Sequence, residues 1–182
     1  KILPLVKPTL WNEMLELNRM AFNEYLPKYS ESRCIAISIK LIKKNAPHIK
    51  WILSYSDGTQ CGDGTIYRAS GFKLTGIKEN KTILEWQGKI IADKTLNNSN
   101  YKLQGMSAGK AKKMGAKPLN GFQLRYIYLI DKNCKITVPI LPFSKIDELG
   151  AGMYKGKKIS LAERKALLSE VVESNANSKL DA

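Results

Sequence analysis

Three short stretches of the sequence set anion-holding groups and proton carriers at spacings that suit chemistry. In Pro27–Arg33 a polar loop runs into a helix start, where free backbone N–H groups and the positive end of the helix dipole form a seat for a pyrophosphate. Ser30, Ser32 and Arg33 add side-chain donors, although a capped helix with nothing bound reads from the same residues. In Ser54-Tyr55-Ser56-Asp57 polar groups stand at the carboxyl end of an apolar run, and ligands of open α/β sheets sit at the carboxyl ends of strands. Asp57 is a base, a ligand, or the acceptor of an Asx-turn that opens the following loop. In Tyr67-Arg68-Ala69-Ser70-Gly71-Phe72 a phenol falls on the last turns of a short helix ahead of a strand. It serves there as a proton donor or as a packed ring with its hydroxyl at the surface.

The remaining reactive residues are scattered. His48 is the only histidine, follows Pro47, and has no second histidine at metal-binding spacing. Cys61 lies in a glycine-rich loop with no histidine beside it in sequence. His48, Asp57, Cys61 and Asp63 form the nearest approach to a ligand cluster; they are no clear motif for iron or zinc, so iron stays open as a cofactor and no metal residue is assigned. Three cysteines without a CxxC pair fit a reducing compartment, so the expected location is cytoplasmic.

Charge points to a polyanion. Lys and Arg number 30 against 16 Asp and Glu, a net charge of +14, which favours nucleic acid, a phosphate-rich cofactor or an anionic membrane surface. The stretch Lys94–Ile130 contains no acid. Lys110, Lys112, Lys113, Lys117 and Arg125 are read as phosphate contacts, and Tyr126, with Tyr101, Phe122 and Tyr128, as a surface on which bases stack. A solvated face with core tyrosines is the other reading. At 43% hydrophobic and 25% charged residues the chain is globular, and its apolar runs are too short to span a bilayer, so no membrane partner is expected.

The elements that must position these groups follow from periodicity. Met14–Phe22 alternates as a strand. Glu31–Lys44 reads as a helix capped by Ser30 or Ser32 and stopped before Pro47. Ile49–Ser56 is the clearest strand, Asp57–Gly64 a glycine-rich loop, and Thr65–Ser70 a short helix ended at Gly71. Phe72–Ile77 and Thr82–Trp86 are strands, Gln104–Ala116 a basic helix, Leu124–Ile130 a strand, and Val138–Phe143 an extended proline-locked segment. Ser160-Leu161-Ala162-Glu163 is a capping box opening a helix to about Glu173, ahead of a polar tail. The alternation of strands and helices predicts an α/β (α+β) fold. Lys1-Ile2-Leu3-Pro4 reads as the middle of a chain, so an upstream segment is expected.

Taken in order, these stretches resemble the core of the GNAT superfamily of N-acetyltransferases, and Ile66-Tyr67-Arg68-Ala69-Ser70-Gly71-Phe72-Lys73 looks like its tyrosine–glycine–phenylalanine motif. Glu16-Leu17-Asn18-Arg19, Ser30-Glu31-Ser32-Arg33, Ser54-Tyr55-Ser56-Asp57, Gly64-Thr65-Ile66-Tyr67 and Thr75-Gly76 are similar to the Mom family of phage DNA-modification proteins. Arg125-Tyr126-Ile127-Tyr128 and Pro139-Ile140-Leu141-Pro142 are similar to the closing strands of phage acetyltransferase-like relatives. The resemblance implies a GNAT-like mixed sheet flanked by helices, here without the usual N-terminal strands and helices. Residues 1–92 would form the core, and 93–182 a basic extension that completes the sheet and ends in a helix. It implies carbamoylmethylation of the exocyclic N6 amine of adenine, protecting phage DNA from host restriction inside the bacterial cell. The alternatives are acyl-CoA-dependent N-acetylation of protein or RNA, and a non-catalytic nucleic-acid-binding relative. The implied catalytic residues are Tyr67, Asp57, Asn18 and Arg19. Ser30, Glu31, Ser32, Arg33, Ser54 and Tyr55 would hold acetyl-CoA or a related acyl-CoA. Double-stranded DNA is the expected partner, bound by a monomer or a homodimer. The glycine-bearing pyrophosphate loop of the superfamily is replaced here by Pro27-Lys28-Tyr29-Ser30-Glu31-Ser32.

Overall fold

The architecture is that of a computed structural model, which describes residues 5–18, 20–23, 25–59, 62–98, 105–154, 157–158 and 163. The fold is α+β, with mixed sheets flanked by helices. The chain enters through β1 (Val6–Lys7), a 3-10 turn (Trp11–Glu13) and β2 (Met14–Leu17). Helix α1 (Ser30–Asn45) crosses over to β3 (Trp51–Asp57), which pairs parallel with β2 from Met14 opposite Trp51 to Leu17 opposite Ser54. Two parallel strands need such a crossover, because a hairpin cannot join them. The short α2 (Thr65–Ala69) leads into β4 (Lys73–Asn80).

The chain then leaves the main sheet. β5 (Ile83–Trp86), β6 (Lys89–Ala92), α3 (Asp93–Leu96), α4 (Ala108–Lys113) and β7 (Lys117–Pro118) form a second unit, with a three-stranded sheet in the order β6-β5-β7. Leu84, Leu96, Ala108, Ala111 and Ala116 make its own core. The expected division at residues 92 and 93 falls inside this unit. Ala92 pairs with Ile83, and the Asp93 amide donates to the Thr82 carbonyl at 2.8 Å. The basic helix expected over 104–116 is shortened to α4. Gly105 and Gly115 on either side have positive φ, and the Ser107 hydroxyl accepts from the Lys110 amide as N-cap.

β8 (Gly121–Leu129) returns and inserts between β3 and β4, antiparallel to both, giving the order β2-β3-β8-β4. β9 (Lys135–Ile136) pairs with β1; α5 (Ser144–Glu148) and the β10–β11 ribbon (Met153–Tyr154 with Lys157–Lys158) follow. Of the helix expected over Ser160–Glu173, only Glu163 lies within the described residues.

The main sheet is buried on both faces, which is why β3 reads as a nearly continuous apolar run. Strand alternation puts Ile52, Leu124 and Tyr126 on one face, packed with Phe72, Leu74, Ile146 and the inner side of α1 at Ile35 and Ile39. Trp51, Leu53 and Ile127 occupy the other face, under Leu5, Val6 and Cys134. The strand expected over Met14–Phe22 stops at Leu17. Beyond it β2 leaves the sheet while β3 runs on for three residues, so the two strands part between Leu17 and Ser54.

Candidate functional site

The parting of β2 from β3 is fixed by a side chain. Ser54, fully buried, donates its hydroxyl to the Leu17 carbonyl at 2.9 Å, the last residue of β2. This corrects Ser54 as a cofactor ligand: its hydroxyl is committed to the backbone and out of reach of solvent. Asn18 is exposed at the mouth of the parting, and Arg19 lies outside the described residues. Tyr55 corrects the reading of its tetrapeptide as well. Alternation turns it to the opposite face from Ser54, where it packs with the Trp51, Leu53 and Ile127 cluster.

The start of α1 differs from expectation in its cap. Tyr29, in the left-handed region at φ 70°, precedes the first turn. Neither Ser30 nor Ser32 caps. Their hydroxyls donate backwards, Ser30 to the Pro27 carbonyl at 2.6 Å and Ser32 to the Tyr29 carbonyl at 3.0 Å. Among the described residues the amides of Glu31 and Ser32 have no protein acceptor. Lys28 and Arg33 are exposed on either side, with Glu31 half-buried between them.

Tyr67 is set by a clamp that sequence reasoning did not resolve. Asp63 is buried. Its Oδ1 accepts from the Thr65 amide at 3.1 Å and the Thr65 hydroxyl at 2.6 Å, and its Oδ2 accepts from Arg68 at 3.1 Å. The Asp63 carbonyl accepts from the Tyr126 hydroxyl. Gly64, at φ 73°, lies so close beneath the Tyr126 ring that an added Cβ would fall 2.6 Å from it. These bonds seat α2 on the sheet. Tyr67 then packs between Tyr126 and Phe72, with ring centroids 5.3 and 5.5 Å away, while its hydroxyl has no partner among the described residues. The Arg68 guanidinium stacks 4.6 Å over Phe143. The helix ends as expected, with Gly71 at φ 83° and the Phe72 amide donating to the Tyr67 carbonyl at 3.0 Å. The spacing Asp63-Gly64-Thr65 was the available signal, a short acceptor two residues before a first-turn amide.

Asp57 ends β3. Its Oδ1 accepts from the Thr59 amide at 3.0 Å, an Asx-turn, and alternation from Tyr55 assigns it to the face away from α2. Two of the expected nucleic-acid contacts are corrected too. Tyr126 is 0% exposed and bonded, so it offers no face to a base. Arg125 is half-buried and turned onto β4, with Nε to the Thr75 hydroxyl at 3.1 Å and Nη2 to the Thr75 carbonyl at 2.7 Å. Lys110, Lys112, Lys113 and Lys117 are exposed on the second unit. No group of three or more His, Cys, Asp or Glu gathers among the described residues, where His48 is exposed; Cys61 lies outside them. No helix of the described residues is long and apolar enough to cross a membrane.

The sequence pattern of the Mom protein family matches residues 2–145. The chain belongs to the Mom protein family. It is 33% identical over 122 residues to a curated relative, the methylcarbamoylase Mom of Escherichia phage Mu, a match covering 66% of this chain and 50% of that protein. This chain thus spans about half the length of that Mom relative. The matched region contains the β2–α1–β3 unit, Tyr67 and its clamp, and the second unit.

Proposed function

We propose that this Mom-family chain carries the core of a phage DNA-modifying enzyme, which transfers a carbamoylmethyl group to the exocyclic N6 amine of adenine. The observation that carries this reading is the placement of Tyr67. Its ring packs in the same cluster as Leu17 and Met20, which flank the point where β2 leaves β3, and its hydroxyl is unpartnered among the described residues. The strand order β2-β3-β8-β4 and the parallel β2/β3 pair support a GNAT-like ancestry for this arrangement.

An acyl-CoA fits the start of α1 in its anionic part. Two first-turn amides lack protein acceptors, Tyr29 supplies the left-handed turn that a glycine would, and Lys28 and Arg33 add positive charge. When bound, an acyl-CoA would supply a thioester carbonyl and a thiolate leaving group, which yield an amide; for the carbamoylmethyl product the donor on the same seat would present an activated methylene and the leaving group it carries. Glu31 and Ser32 would hold its diphosphate through their amides, Asn18 would face the arm entering between β2 and β3, and Tyr67 would give its phenolic proton to the departing group. The amine of adenine loses a proton as its nitrogen bonds carbon. In a carbamoylmethyl product that carbon is a methylene, so attack on a thioester carbonyl does not by itself yield it, and the donor must present an activated methylene.

Mass spectrometry of nucleosides from DNA co-expressed with the full-length protein tests this reading. A modified deoxyadenosine is expected. Unchanged deoxyadenosine alongside newly acetylated lysine in host protein would overturn it.

A further inference from the structure

The second unit divides the basic tract in a way the sequence does not display. Arg125 and Tyr126 leave with β8 and are committed to the main sheet. The lysines stay behind, joined by Lys89 from β6. Over residues 82–119 there are seven lysines, two acids and no arginine. On α4 the inward positions are Ala108 and Ala111, three apart and buried, so Lys110 and Lys113 project outward while Lys112, four residues from Ala108, flanks the inward face. Lys112 pairs with Asp93 at 3.3 Å, and Lys110 reaches only the neutral Gly105 carbonyl at 2.9 Å. Lys113 and Lys117 have no acid partner among the described residues.

We propose that this unit, residues 82–119, is a grip on the phosphate backbone of duplex DNA that does not read base sequence. It rests on the functional reading above for the choice of DNA. Charge complementarity selects a polyanion. The absence of arginine from the unit removes the side chain that most often reads guanine bidentately, whereas lysine acts as a point charge on phosphate. Trp86, the unit's one aromatic side chain among the described residues, is half-buried against the unit's own core, so the described residues favour backbone contacts over base stacking. The unit therefore supplies hold and register.

The test uses the full-length protein with Lys110, Lys113 and Lys117 replaced together by Gln, and a control with Lys40, Lys43 and Lys44 of α1 replaced by Gln. The Kd is measured against salt on two duplexes of unrelated sequence and on an RNA hairpin. In the first variant the log–log salt slope should flatten by roughly two to three units, at about 0.9 per phosphate contact, equally on both duplexes. The control should keep the parent slope, and both variants the parent melting temperature. An unchanged slope in the first variant overturns the proposal. So does a change confined to one duplex, which would mean base reading, or a larger loss on RNA than on DNA. If the slope flattens as expected while co-expressed DNA yields no modified nucleoside, the grip stands and the modification reading fails.

Discussion

Replacing Tyr67 by Phe keeps the ring between Tyr126 and Phe72 and removes one hydroxyl that bonds nothing among the described residues. The melting temperature should stay near that of the parent, while DNA modification slows by roughly 10²–10⁴-fold, the usual worth of a positioned proton donor. Asp57→Asn retains the oxygen that accepts from Thr59, so modification should proceed at the parent rate. A deep loss there, with the fold intact, would return Asp57 to the chemistry. At the edge of the sheet, Glu13 accepts from Lys50 at 2.8 Å and from the Leu10 amide at 2.6 Å. The Lys50 bond first, then the amide, holds its carboxyl below the ordinary value of 4.5. A lowered folded value means that this stabilisation is complete above the ordinary carboxylate range and is lost as pH falls through the folded value. The melting-temperature gap between the parent and Glu13→Gln should therefore close on acidification; a gap independent of pH would contradict the assignment. The sequence shows which side chains share a strand face but not what covers that face. Alternation puts Tyr126 and Tyr128 on one face of β8, yet only the arrival of α2 shows that Tyr126 is sealed. Ser54 looked like a ligand because nothing local reveals that Leu17, 37 residues earlier, lies beside it.

Among the elements, α2 depends on a single glycine. At Gly64 a side chain meets both the left-handed backbone and the Tyr126 ring. Gly64→Ala should cost roughly 2–5 kcal/mol, summing about 1–2 for the conformation and 1–3 for overpacking. Gly62→Ala is the comparison: it has a similar φ of 79° with nothing among the described residues within 4 Å of the added carbon, so it should lose only the first part. Thermal unfolding of the two variants checks this, and equal losses would remove the Tyr126 contact from the account. Elements whose ends are set locally were legible. The stop at Gly71 and the extent of α1 follow from glycine, proline and helix periodicity. β2 was overdrawn, because alternation persists through Met20 and Phe22 while the partner strand is no longer in reach.

For the molecule as a whole, two cores imply two levels of protection. Leu84 is fully buried among Leu96, Ala108, Ala111 and Ala116, apart from the main-sheet clusters. Leu84→Ala should cost roughly 2–5 kcal/mol locally. Amide exchange should rise across β5, β6 and β7 while β3 and β8 stay protected; uniform loss of protection would mean one cooperative body. The sequence presented 82–119 as the end of one region and the start of another. The hydrophobic pattern is similar on both sides of residue 92, and only strand pairing tells which sheet each segment joins.

The central position of β8 has a consequence for how the protein is made. β3 and β4 emerge from the ribosome first and are neighbours of the same missing strand. At about 5–20 residues per second, the wait from the end of β4 to the end of β8 is on the order of 2–10 s. Through that interval each nascent strand keeps a bare edge able to pair with another chain. The second unit, synthesised within the same interval, can close over its own core before the main sheet does. Its folding shortens the span that β8 must bridge to find its place.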